Sequence, residues 1–268
     1  MKNFLYYVVV MSLALLPTLT LADFVFTPEI TTGVMNYKWE EGEGLNPNID
    51  IDEPLSDNLL FLGIGGTISV DRLFINGYLQ KTLEGEDTSS GRVENIAPST
   101  VNIVSNSNFD RQDYSISFGY AITGNFSTFA GYRKSKQAFD VPSTSNIKSE
   151  GSPLPPGLTF AGDFEYETKG PFVGIAYGWA LGKGLVALNF AVARLDVDLD
   201  SHYTITGRDP IVSSNSGNAI GMTMGVGWQG QIVGNLRYKV SLNGYQYDFD
   251  VLKERVISLQ AGLRYSFY

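Results

Sequence analysis

The sequence reads as an all-β protein: one antiparallel up-and-down β-barrel that crosses a membrane with about ten strands. Three observations lead there. The last residues, Ile257 to Tyr268, alternate strictly, with Ile257, Leu259, Ala261, Leu263, Tyr265 and Phe267 on one side and Ser258, Gln260, Gly262, Arg264 and Ser266 on the other. Successive strand side chains point to opposite faces, so this strand has one apolar and one polar face. The same lettering recurs along the chain, in segments joined by alternately short and long polar links. Beyond the N-terminal segment, no apolar run reaches the roughly 18–20 residues that a spanning helix needs.

The N-terminal segment is of another kind. Lys2 provides a small positive region, Phe4 to Leu16 is almost wholly apolar, and Thr20-Leu21-Ala22 ends in small residues. This is the pattern of a cleavable secretory signal over 1–22, which leaves a single barrel domain over 23–268. Cysteine is absent, so no disulfide frame is expected. The 19 Lys and Arg face 28 Asp and Glu, a net charge of −9 that becomes one unit more negative without Lys2. That balance argues against nucleic acid as a partner. Mean hydropathy is close to zero; a barrel hides its hydrophobicity by alternating it.

The strands follow in order. The first runs from about Pro28 to Trp39, and the second over Leu59 to Val70 with Leu60, Leu62, Ile64, Ile68 and Val70 in phase. Asp71-Arg72 turns the chain into the third, Leu73 to about Leu83, whose faces are both mixed. The fourth sets Tyr114, Ile116, Phe118, Tyr120 and Ile122 against Asp113, Ser115, Ser117, Gly119 and Ala121. Gly124-Asn125 is a hairpin signal, and Phe126, Thr128, Ala130 and Tyr132 face outward on the fifth. Val173, Ile175, Tyr177 and Trp179 mark the sixth. After Gly182-Lys183-Gly184, Val186, Leu188, Phe190 and Val192 mark the seventh, and Leu195, Val197 and Leu199 then take the other phase, which suggests a bulge near Arg194. The eighth is Asn218 to Gln229, with a short link near Gly230; Leu236 to Leu242 opens the ninth, and the terminal stretch is the tenth. Eight or twelve strands fit the same text, because the third strand is ambiguous and the Asp250–Glu254 link is short.

Long outer loops are expected near 40–58, 85–109, 137–163 and 201–217. Two aromatic belts are expected as well: Trp179, Trp228 and Phe267 at the inner boundary, and Tyr37, Trp39, Tyr114, Tyr132, Tyr245 and Tyr247 at the outer one.

The aromatic-ended terminal strand resembles that of bacterial outer-membrane barrels. Asp110 to Tyr120, Gly124-Asn125-Phe126 and Phe129 to Arg133 resemble hairpins of small proteobacterial barrels, a group that includes the OmpA-like and opacity-type proteins. The resemblance implies the cell outer membrane, reached through the periplasm, with outer-membrane lipid and lipopolysaccharide around the barrel. It also implies assembly machinery that reads the C-terminal strand. The extracellular ligand stays open.

Candidate chemistry is sparse. Asp200-Ser201-His202-Tyr203 holds the one histidine and looks like the Asp-x-His-Tyr segment of omptin proteases, which are also ten-stranded barrels. That family's mechanism also needs a facing pair of aspartates, and Asp110 and Asp113 have a different spacing. Ser201 and His202 are adjacent, so they point to opposite faces of a strand and make a poor catalytic dyad. Asp196, Asp198 and Asp200 form a period-two stripe with oxygen ligands suited to Ca²⁺, or else a solvated strand extension. No catalytic, cofactor or metal residue is therefore assigned.

Arg237, Lys239 and Arg264 fall on the lumen side, with Glu29, Asp113 and Glu167 as opposite charges. They would line a selective pore or a sealed salt-bridge network. Inward glycines at 63, 65, 119, 131, 174, 178, 221, 225 and 227 leave room in the bore. The reading is a structural or surface-interaction barrel without catalysis. A narrow passive channel is the alternative, and an omptin-like protease is a distant third.

Overall fold

A computed structural model describes residues 24–41, 49–50, 56–83, 85–93, 100–144, 147–150, 159–207, 209–249 and 252–268. The signal segment 1–22 and much of the 40–58 link lie outside the described residues.

Among the described residues every regular element is a strand: β1 (Phe24–Glu41), β2 (Ile49–Asp50), β3 (Ser56–Val70), β4 (Leu73–Thr82), β5 (Gly85–Val93), β6 (Thr100–Ala121), β7 (Phe126–Thr144), β8 (Ile147–Glu150), β9 (Phe160–Leu181), β10 (Gly184–Ile205), β11 (Ile211–Val233), β12 (Leu236–Asp248) and β13 (Leu252–Tyr265). Ten of them close an antiparallel ring in the order β1-β3-β4-β6-β7-β9-β10-β11-β12-β13. β13 returns to β1 with Glu29 opposite Arg264 and Trp39 opposite Glu254. Closure gives the wall strands a partner on both sides through the membrane zone, which a sheet in lipid requires. The ring has ten strands, rather than eight or twelve.

Inner turns fall at Asp71-Arg72, 122–125 and Gly182-Lys183, as expected. Asp71 adopts φ 52° and Gly182 φ 55°, the left-handed geometry of tight hairpins. The turn expected near Gly230 lies at Gly234-Asn235, because β11 continues through a bulge between Gln231 and Val233.

The described residues of the expected outer loops are largely strand. β5 and β6 form a ladder from Gly85 opposite Phe109 to Val93 opposite Val101, within the 85–109 segment. β7 and β9 pair at the two ends of 137–163, from Gln137 opposite Tyr166 to Thr144 opposite Phe160, and β10 and β11 occupy much of 201–217. These stretches are polar enough to look like loops because they stand in water on their outer side. The wall is uneven as a result: β9, β10 and β11 have 22, 22 and 23 residues, against 13 and 14 for β12 and β13.

The outer face carries an apolar belt. Ile30, Val34, Leu62, Ile64, Phe118, Ile175, Met224 and Leu259 are all exposed. On β13 the belt runs from Ile257 to Phe267, about 25 Å of height at the usual rise and tilt.

No bulge occurs near Arg194. β10 keeps one register against β11 from Gly184–Gly230 to Tyr203–Ile211. Its even residues face outward and its odd residues inward from Val186 to His202; Val192 is exposed, while Ala193, Leu195 and Val197 are buried. The apolar lettering changes side because the surroundings change. Lipid surrounds the lower wall, so the bore there is polar. Water surrounds the upper wall, so an apolar core forms inside it.

That core consists of Met35, Tyr37, Leu59, Phe61, Phe109, Phe139, Tyr166, Ala193, Leu195, Val197, Ala219, Tyr247 and Val256. Tyr37 and Tyr247 thus belong inside, not to the outer aromatic belt, and Tyr245 packs against the same core. Tyr114 and Tyr132 do face outward; the side chain of Trp39 lies outside the described residues.

Two substitutions test this inversion. Leu195→Ala should cost about 2–5 kcal/mol of unfolding free energy, because a protein cavity is left behind. Val192→Ala, where lipid refills the space, should cost much less. Denaturant titration in lipid vesicles reads both. In the belt, Phe118→Arg should cost roughly 2–4 kcal/mol and Ser117→Arg much less.

Candidate functional site

The bore holds two charged networks at different heights. The upper one is built around Arg111 on β6, whose side chain is 1% exposed. Its Nε and Nη2 donate to Asp113 Oδ2 and Oδ1 at 2.9 and 3.0 Å. Both residues sit on one strand two positions apart, so they share the inward face. Nη1 reaches across the bore to Glu254 Oε1 on β13 at 2.7 Å. β6 and β13 lie four strands apart by the shorter way around the ring.

Neighbouring strands complete the cluster. Glu254 also accepts from Gln137 Nε2 at 3.1 Å and from the Tyr166 hydroxyl at 3.4 Å. Gln80 Nε2 donates to Asp113 Oδ2 at 2.7 Å. Arg133 on β7 lies 3.8 Å from Asp113 and donates to the Tyr247 hydroxyl. The Arg111 guanidinium stands 5.5 Å from the Tyr37 ring centre and 5.3 Å from that of Tyr245; Arg133 stands 4.9 and 5.1 Å from Tyr245 and Tyr247. Aromatic faces attract the cations, and the carboxylates offset their removal from water.

The lower network is smaller. Glu29, buried on β1, accepts from Lys239 Nζ at 3.0 Å and lies 3.1 Å from Arg264 Nε. Arg264 Nη1 also donates to Gln229 at 3.2 Å. Lys239, Arg264 and Glu29 are thus brought together. Arg237 stands opposite Arg264 in register, is exposed at the inner rim, and makes no ion pair among the described residues. Asp113 belongs to the upper network instead. Glu167 is not in the bore: it lies on the outer face, paired with Lys134 at 2.7 Å and Lys169 at 3.1 Å.

Sequence reasoning missed Arg111, Arg133 and Glu254. Arg111 was readable in phase with Asp113 once the fourth strand is carried two residues further. Glu254 was hidden by its assignment to a link.

Of the inward glycines, Gly178 and Gly227 have room for a Cβ, whereas several others do not. A Cβ on Gly221 would stand 1.9 Å from the Tyr247 ring, and one on Gly119 would stand 2.0 Å from the Phe74 ring. Glycine there lets rings from neighbouring strands lie flat against the wall and fill the bore.

The histidine segment is arranged differently from the pattern it resembles. His202 Nδ1 lies 3.2 Å from Asp163 of β9, on the outer face of the upper wall. Asp110 faces outward with Lys81 at 3.1 Å, while Asp113 faces inward, so the two do not converge. Asp198 pairs with Lys169 at 3.0 Å. Among the described residues, no group of three acidic, histidine or cysteine side chains is placed to hold a metal ion.

No protein-family model matches the chain, and no curated protein matches it. Solved structures do. The outer membrane protease OmpT of Escherichia coli aligns with a TM-score of 0.67 at 12% identity, over 92% of this chain and 97% of that one. The chain has the outer-membrane β-barrel fold. The translocator domain of the autotransporter NalP from Neisseria meningitidis (6% identity, TM-score 0.45, 98% and 97% covered) and the attachment invasion locus protein Ail of Yersinia pestis (11%, 0.38, 90% and 99%) are more distant matches. At these identities the likeness is one of fold.

The two kinds of ion pair in this barrel should separate cleanly. Glu254→Ala leaves Arg111 short of a partner in the core and should cost about 3–5 kcal/mol. Lys136→Ala breaks the pair with Glu165, which is as short at 2.6 Å but exposed, and should cost under about 1 kcal/mol. Equal losses in denaturant unfolding would contradict the placement of Glu254.

Proposed function

We propose that this chain is an outer-membrane barrel with a structural or surface-interaction role and no catalysis, exported through the periplasm after loss of its signal segment. The observation that carries this reading is the Arg111–Glu254 ion pair, which crosses the bore at 2.7 Å between side chains 1% and 0% exposed. A solute moving through the barrel would have to break that pair and part the rings of Tyr37, Tyr166, Tyr245 and Tyr247. The tall outer wall then becomes the surface on offer to partners, while lipid and lipopolysaccharide surround the belt. The outward His202–Asp163 pair supports a solvated role for the histidine.

Planar-bilayer recording tests the reading. The wild type should give no steady single-channel steps at high protein load, and Glu254→Ala should raise the open probability. Steady wild-type conductance that falls in Lys239→Ala would establish the channel instead. Incubation with a panel of cationic peptides should give no cleavage; cleavage lost in His202→Ala would overturn the non-catalytic assignment.

A further inference from the structure

The upper part of β11 pairs on one side only. From Ile211 to Asn218 it is laddered to β10, and β12 joins it only from Ile220 downward, opposite Asp248. Among the described residues nothing pairs with the other edge of Ile211–Ala219. Natural edges of this length are blunted with charge, proline or a covering segment. Here the sequence is Ile-Val-Ser-Ser-Asn-Ser-Gly-Asn-Ala, without charge or proline. Val212 is 73% exposed, and Ser214, Ser216, Gly217 and Asn218 are exposed as well.

We propose that this edge receives an extended cationic peptide segment of a partner protein, added as one more strand. Backbone pairing supplies affinity in such additions and alternate side chains supply selectivity. The selectivity comes from β10. Asp200 lies opposite Ser214, Asp198 opposite Ser216 and Asp196 opposite Asn218, all facing outward. Asp198 is engaged by Lys169, whereas Asp196 and Asp200 make no ion pair among the described residues. An added strand would stand two strand spacings from β10, about 10 Å. Lysine or arginine at its alternate positions can lie across the short Ser214 and Ser216 towards those carboxylates. The arrangement therefore favours basic residues at every second position.

A second copy of the chain is a poorer occupant. Two barrels in one bilayer must be related about the membrane normal, and barrel strands tilt roughly 40° from it. The two edges would cross at roughly 80°, too steep for a ladder.

This inference rests on the surface-interaction reading and deepens it. Its test is independent of conductance, so either can fail alone. The probe is an acetylated nine-residue peptide that alternates lysine and threonine, added to the full mature barrel in detergent micelles. Amide exchange is followed residue by residue. Without peptide, alternate amides of Ile211–Ala219 should exchange quickly; with peptide they should slow at least about tenfold, while those paired to β10 stay unchanged. A peptide N-methylated at alternate backbone positions should give no protection. Asp196→Asn with Asp200→Asn should weaken peptide binding about fivefold, as two exposed charge pairs allow, and leave the free protein's exchange as it was. Slow exchange before peptide is added would show the edge already covered by the chain itself. Protection that appears with protein concentration alone would make a second copy the occupant. Either result, or equal protection by the N-methylated peptide, overturns the proposal.

Discussion

A strand cannot move a side chain from one face to the other without a bulge, and β10, in the middle of the tall wall, holds one register against both neighbours. Everything else adapts to that constraint. β10 passes from a lipid-facing stretch, Val186 to Val192, into a water-facing one, Arg194 to His202, on the same face. Its inward face goes from the half-buried Ala187 and Asn189 to the buried Leu195 and Val197. The barrel is thus a membrane protein below and a water-soluble β-barrel above, joined without a break in the ladder.

The charged cluster around Arg111 sits where those two regimes meet. A guanidinium buried at this level loses its hydration, and the site returns that cost through two carboxylates and several aromatic faces. Geometry does the rest: partners come from β1, β4, β6, β7, β9, β12 and β13, so no single hairpin could form the site. Removing one carboxylate leaves a buried charge, so the cluster disfavours any arrangement that parts Arg111 from Asp113 or Glu254. The glycines opposite Tyr247 and Phe74 belong to the same economy of space. They let rings lie against the wall and occupy a cross-section that ten strands leave only slightly too wide.

The uneven wall shapes the outside. On β7, β9 and β10 the outer face above the belt is covered by cross-strand pairs: Lys134 with Glu167, Lys136 with Glu165, and Lys169 with Asp198. β11 ends that pattern, with Ser214, Ser216 and Asn218 opposite Asp200, Asp198 and Asp196 of β10. The change of chemistry coincides with the loss of a pairing strand, because β12 turns back at Asp248 while β11 continues.

Alternation of side chains by itself determined the barrel, the outward set from Ile30 to Phe267, most inner turns, and the inward placing of Glu29, Lys239 and Arg264. Those depend on local periodicity and on turn residues, which one strand displays alone. The sequence did not determine how far the strands rise above the belt, because a polar outer face reads like a loop until a partner strand satisfies its backbone. Nor did it determine that Glu254 meets Arg111, that Asp113 and Glu29 serve different networks, or that Tyr37 and Tyr247 turn inward. Register across strands distant in the chain decided those, and ring closure fixes that register only once all ten strands are in place.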